Sequence, residues 1–145
     1  MRIIAIANQK GGVGKSTTAI NLSSCLAEKG KKILVIDLDP QGNTTSGLGV
    51  NKNKVDKTVY ELLIDEYNIE ECIKKDVFDN LDLIPSNVNL SGAEIELIDI
   101  ENRSYVLKNK IEWIKDDYDF IIIDCPPNLG ILTTNALAAS DSVLV

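Results

Sequence analysis

The chain has no histidine, only two arginines and three cysteines in its 145 residues, and aromatics make up 5% of it. Without histidine, any general base has to be a carboxylate or come from elsewhere. Cys25, Cys72 and Cys125 lie far apart with no metal-ligand spacing, so they are expected to be buried or half-buried free thiols. Positive charge is also in deficit. The net charge is −7 and the isoelectric point about 4.6, which gives no support to a domain that grips nucleic acid by itself. Long apolar runs are missing as well. The first, Ile3 to Ala7, is stopped at once by Asn8-Gln9-Lys10. That is too short for a signal peptide or for the roughly 18 residues of a membrane span. A cytoplasmic protein without a membrane partner is expected.

What is present suits a folded domain: 44% hydrophobic and 26% charged residues, in a chain long enough to bury a core. Ile3–Ala7, Ile33–Ile36 and Phe120–Ile123 are apolar throughout, without alternation. Strands of that kind are buried on both faces, as in a parallel sheet covered by helices. Leu81–Pro85 makes a weaker strand stopped by its proline, and Ser142–Val145 starts another. Helical spacing covers 16–29, with Ala19, Leu22 and Leu26 on one stripe, and also 58–65 and 131–139. A longer helical stretch spans about 91–116, with a break near Asn102-Arg103. Asn51–Lys54 is a polar loop. The expected fold class is α/β, a mostly parallel sheet flanked by helices on both faces, in one domain over residues 1–145.

The first strand runs into Gln9-Lys10-Gly11-Gly12-Val13-Gly14-Lys15-Ser16-Thr17. Glycines between a buried strand and a helix start let the backbone approach a ligand. The loop amides, Lys10 to Thr17, then form an anion nest at the positive end of the helix. Lys15 would reach the β- and γ-phosphates of a nucleotide, and the Ser16 hydroxyl would sit on Mg²⁺. The pattern Lys-Gly-Gly-x-Gly-Lys-Ser/Thr arises by chance at about one position in ten million, so a loop that merely turns the chain is a poor explanation. The ordinary phosphate-loop pattern wants glycine at position 9, where Gln9 stands, and an extra lysine, Lys10, opens the loop instead. Taken alone, Lys10 could be a solvated lysine beside a phosphate site.

Two further stretches end apolar strands. Asp37-Leu38-Asp39-Pro40-Gln41-Gly42-Asn43 follows the second. Its aspartates lie on the same sheet edge as the phosphate loop. They suit either a catalytic site or strand-end capping and a turn. Asp124-Cys125-Pro126-Pro127-Asn128-Leu129-Gly130 follows the strand at 120–123. A rigidly placed acid there suits water-mediated Mg²⁺ binding, and the Pro-Pro and Gly suit a loop sensitive to a γ-phosphate.

The loop with Lys10 resembles the deviant Walker A motif of the ParA/MinD superfamily of P-loop ATPases. The run Asp37 to Asn43, followed by Thr44-Thr45-Ser46-Gly47-Leu48-Gly49, resembles the ParA/Soj branch. The resemblance implies a P-loop NTPase fold and an ATPase that works as a switch of chromosome or plasmid partitioning, with ATP and Mg²⁺ as cofactors. It implies a homodimer closed around ATP, in which Lys10 reaches the partner's nucleotide. Asp39 would orient or deprotonate the attacking water, and Ser16, Asp37 and Asp124 would serve the metal. It also implies a ParB-like stimulating protein, and non-specific DNA held by a C-terminal part absent from this sequence, with nucleoid association in the full-length form. ParA relatives often carry serine where this chain has Asn128. Because such proteins run past 200 residues, the chain is expected to be the N-terminal portion of a longer domain. Two other functions remain open: a MinD-like membrane-positioning ATPase, and an ATP-dependent ligase resembling dethiobiotin synthetase.

Overall fold

Each uninterrupted apolar run becomes a strand of a single sheet. A computed structural model describes residues 1–7 and 13–145, with side chains from residue 16 onward in the second span. In chain order the elements are β1 (Arg2–Ile6), α1 (Val13–Glu28), β2 (Ile33–Asp37), α2 (Asn43–Gly47), α3 (Val59–Leu63), α4 (Ile69–Cys72), β3 (Lys74–Phe78), β4 (Leu81–Ile84), α5 (Ala93–Glu96), α6 (Val106–Ile111), β5 (Phe120–Asp124), α7 (Ile131–Ala139) and β6 (Ser142–Leu144). The six strands are ordered β3-β4-β2-β5-β1-β6. All pairings are parallel except β3 with β4.

Burial explains why the central runs do not alternate. Every residue of β2 is buried, because both faces of the sheet are covered. One face meets α1: Ile6, Ile33, Val35, Leu81, Leu83 and Ile122 pack with Ala19 and Ala27. The other meets α3, α5, α6 and α7, where Ile36, Ile84, Ile121 and Ile123 join Leu62, Leu97, Leu107 and Leu132. The sheet-facing line of α1 is Ser16, Ala19, Ser23 and Ala27, with Leu22 and Leu26 half-buried on its flank. Small residues therefore let α1 lie close to the sheet. The buried Ser23 hydroxyl is satisfied by donating to the Ala19 carbonyl at 2.6 Å.

Three expectations need correction. β3 has no counterpart in the apolar pattern, being mostly exposed. It is an antiparallel edge strand whose lysines suit an unpaired border. The stretch 91–116 is not one broken helix but α5, α6 and 3₁₀ turns at Arg103–Tyr105 and Lys115–Asp117. The break falls where Asn102 takes a left-handed φ of 59°, and the Arg103 guanidinium donates to the Ile98 carbonyl at 2.9 Å. Cys72 and Cys125 are buried, but Cys25 is exposed on α1. Among the described residues, no helix is long and apolar enough to cross a membrane.

The parallel strands end together. β2 and β5 pair with Asp37 opposite Asp124, and β1 and β5 with Ile6 opposite Asp124. α1 begins at Val13, just beyond the same edge.

Candidate functional site

Lys10, Gly11 and Gly12 lie outside the described residues, as do the side chains of Val13 and Lys15, while the backbone of Gly14 belongs to α1. The rest of the expected constellation is placed. Ser16 is buried in the first turn of α1, and Thr17 beside it is exposed. The Ser16 hydroxyl lies 3.4 Å from Asp124 Oδ2. Ser16, Asp37 and Asp124 therefore lie at one sheet edge.

Asp37 and Asp124 are fully buried on adjacent strands. Each is bound by one of two consecutive threonines of α2. Thr44 donates its hydroxyl to Asp124 Oδ2 at 2.6 Å. Thr45 donates its backbone N–H and its hydroxyl to Asp37 Oδ2 at 2.9 and 2.7 Å. Burial, followed by repulsion from Asp124, pushes the Asp37 carboxyl up to about 7, against the pull of the Thr45 and Asp39 hydrogen bonds. Two carboxylates confined side by side favour a divalent cation, which offsets the charge that a proton otherwise has to cancel. The donors are hard oxygens of the kind Mg²⁺ takes. No three acidic, histidine or cysteine side chains converge among the described residues. Mg²⁺ keeps several waters and takes phosphate oxygens for its remaining ligands, so two carboxylates and a hydroxyl are enough protein donors for it. The residues present thus fit Mg²⁺.

Asp39 sits one residue past Leu38 and is also buried. It is held on several sides. Its N–H donates to Asp37 Oδ1 at 3.1 Å, and its Oδ1 accepts from the Gln41 N–H at 3.0 Å. Its carbonyl accepts from the Gly42 N–H at 2.9 Å and from the Ser86 hydroxyl at 2.8 Å. The Asp-Pro-Gln-Gly turn is therefore present, and its bonds fix where the Asp39 carboxylate stands. In the Asp124 loop, Asn128 Oδ1 accepts from the Gly130 N–H at 3.1 Å and its carbonyl from the Thr133 hydroxyl at 2.5 Å. Asparagine thus closes this turn and ties it to α7.

The sequence pattern missed Thr44, Thr45 and Ser86 as site residues. The first two lie in the stretch that follows Asp39, but isolated hydroxyls have no diagnostic spacing. Ser86 meets Asp39 only through the fold.

The AAA domain family model matches residues 1–145. The sporulation initiation inhibitor protein Soj of Bacillus subtilis is 55% identical over 99% of this chain and 57% of its own length. The chromosome partitioning protein ParA of Myxococcus xanthus is 49% identical over 99% of this chain and 51% of its own length. Among solved structures, cobyrinic acid a,c-diamide synthase from Mycobacterium smegmatis, with bound ATP analog and magnesium, superposes with a TM-score of 0.94 at 40% identity, over 99% of this chain and 58% of that one. The chain thus spans little more than half the length of the proteins it resembles.

Proposed function

The chain belongs to the AAA domain family over all its 145 residues, with Soj and ParA proteins among its relatives, and on that premise we propose that it is the ATP-binding and ATP-hydrolysing part of a ParA-like switch of chromosome or plasmid partitioning. One observation carries the reading. Asp37 and Asp124 end adjacent parallel strands with the Ser16 hydroxyl at 3.4 Å from Asp124, and Asp39 follows in a turn whose N–H is bound to Asp37.

The chemistry follows from the site. Phosphoryl transfer needs positioning and charge stabilisation more than covalent catalysis. The amides of Gly11 to Thr17 and the Lys15 ammonium hold the β- and γ-phosphates from one side. Ser16, Asp37 and Asp124 would hold Mg²⁺, which would supply positive charge beside the transferred group. Asp39, fixed by its turn, orients the attacking water. Lys10 approaches from a second copy of the chain, so ATP binding and dimerisation become coupled. Residues 1–145 then form the nucleotide-binding portion of a longer ATPase domain. A ParB-like protein stimulates it, and DNA is held by parts outside this sequence. The cytoplasm and its nucleoid are the expected location.

A second reading has one specific observation in its favour, the amide synthase superposed at a TM-score of 0.94. On that reading the chain belongs to an ATP-dependent ligase, which couples ATP cleavage to a small-molecule acceptor, whereas a switch hydrolyses ATP without one.

Asp39→Ala separates binding from hydrolysis and tests the proposal. In the protein as its gene encodes it, this variant should bind Mg-ATP with near wild-type affinity by calorimetry while phosphate release falls by about a hundredfold or more. Phosphate release at the wild-type rate would leave Asp39 a turn residue and remove the proposed mechanism.

A further inference from the structure

We propose that Ser86 is a positioning residue for hydrolysis: it ties the turn that carries Asp39 to the rigid frame of the sheet. The inference rests on the reading of Asp39 as the water-orienting group. Ser86 is fully buried just beyond the end of β4. Its own main chain is anchored on both sides. The preceding carbonyl, of Pro85, accepts from the Val59 N–H at 2.8 Å at the start of α3, and the Ser86 N–H donates to the Thr45 hydroxyl oxygen at 3.0 Å. Thr45 in turn donates to Asp37. The Ser86 hydroxyl has one proton to give, and it gives it to the Asp39 carbonyl at 2.8 Å.

The Asp39 backbone is therefore pinned at its N–H by Asp37 and at its carbonyl by Ser86. The Gly42 N–H also reaches that carbonyl, but it belongs to the same turn and only closes it. Ser86 connects the carbonyl to a different part of the chain, the segment that follows β4. Without its hydroxyl, the turn keeps its internal bonds and its Asp37 contact but loses its registration against β4. The cost falls on where the carboxylate points, and misplacement near 1 Å is expensive for a positioned water. With Asp39 serving the water and not the phosphates, nucleotide affinity should not depend on this link.

The test compares Ser86→Ala, Ser86→Cys and Asp39→Ala in the protein as its gene encodes it. Ser86→Ala should lower kcat for ATP hydrolysis roughly tenfold while KM for ATP and the thermal midpoint stay at wild-type values. Ser86→Cys, similar in size and a weaker donor, should lose less. A wild-type kcat in Ser86→Ala overturns the inference. So does a fall in kcat matched by a rise in KM and a lower midpoint, which assigns Ser86 to the frame alone. Asp39→Ala keeps the two readings apart. If it hydrolyses ATP normally, the role of Asp39 is gone and this inference with it. If it is inactive beside a normal Ser86→Ala, only the role of Ser86 is lost.

Discussion

Gly42 stands in the site at a position that tolerates a side chain poorly. It closes the Asp39 turn at a left-handed φ of 65°, next to the Lys52 side chain that donates to the Gln41 carbonyl. A Cβ here would stand 2.9 Å from Lys52 Cδ and 3.4 Å from the Ser86 carbonyl oxygen. The lysine end can move aside, so backbone strain dominates. Gly42→Ala should cost about 1–2 kcal/mol by urea denaturation, and unchanged stability would show that the turn relaxes freely. The three aspartates beside this turn were legible as residues, because an acid ending an apolar run is a local pattern. Their partners were not. Thr44 lies 80 positions from Asp124 and Ser86 lies 47 from Asp39, distances over which only the sheet order brings side chains together.

The β3–β4 hairpin shows the same limit one level up. Periodicity found the buried strands, whose apolar content reports burial on both faces. It could not find β3, an exposed edge strand held by specific bonds rather than by packing. Those bonds converge on Asp82, which accepts from the Asp76 N–H at 2.8 Å and the Tyr118 hydroxyl at 2.7 Å and pairs with Lys75 at 3.3 Å. Burial alone would raise the Asp82 carboxyl, but these three partners outweigh it and hold it below its ordinary value of 3.8. A depressed carboxyl stabilises the fold above its unfolded value, and that contribution is lost as pH falls through the folded one. The protection of β3 amides, measured against their intrinsic exchange rate at each pH, should therefore fall as the solution is acidified below about pH 4. Asp82→Ala should cost about 1–3 kcal/mol, since it strands the buried Tyr118 hydroxyl. Protection in β3 that ignores acid while the rest of the sheet stays folded would remove Asp82 as its anchor.

For the whole molecule, charge decides what it can hold. A net −7 opposes approach to a nucleic acid over a Debye length of about 10 Å in ~0.1 M salt. Non-specific DNA binding is driven by counterion release at basic contacts, and the sequence has 15 basic residues against 22 acidic. In an anisotropy titration at low salt, this chain by itself should bind duplex DNA weakly or not at all. Tight binding with a steep salt slope would show that a local basic patch overrides the overall charge.

The three cysteines, distributed unequally between inside and outside, give this fold a built-in chemical clock. Cys25 stands exposed on α1, whereas Cys72 and Cys125 are buried and outside any disulfide, and burial raises the Cys72 thiol to about 11. The thiolate is the species that reacts. A maleimide therefore modifies one sulfur at once and reaches the other two only as fast as the molecule opens. The first event puts a dye on the helix that leads out of the glycine-rich loop. The second turns the slow labelling of the interior into a record of opening, which at Cys125 reports on the end of β5 that carries Asp124.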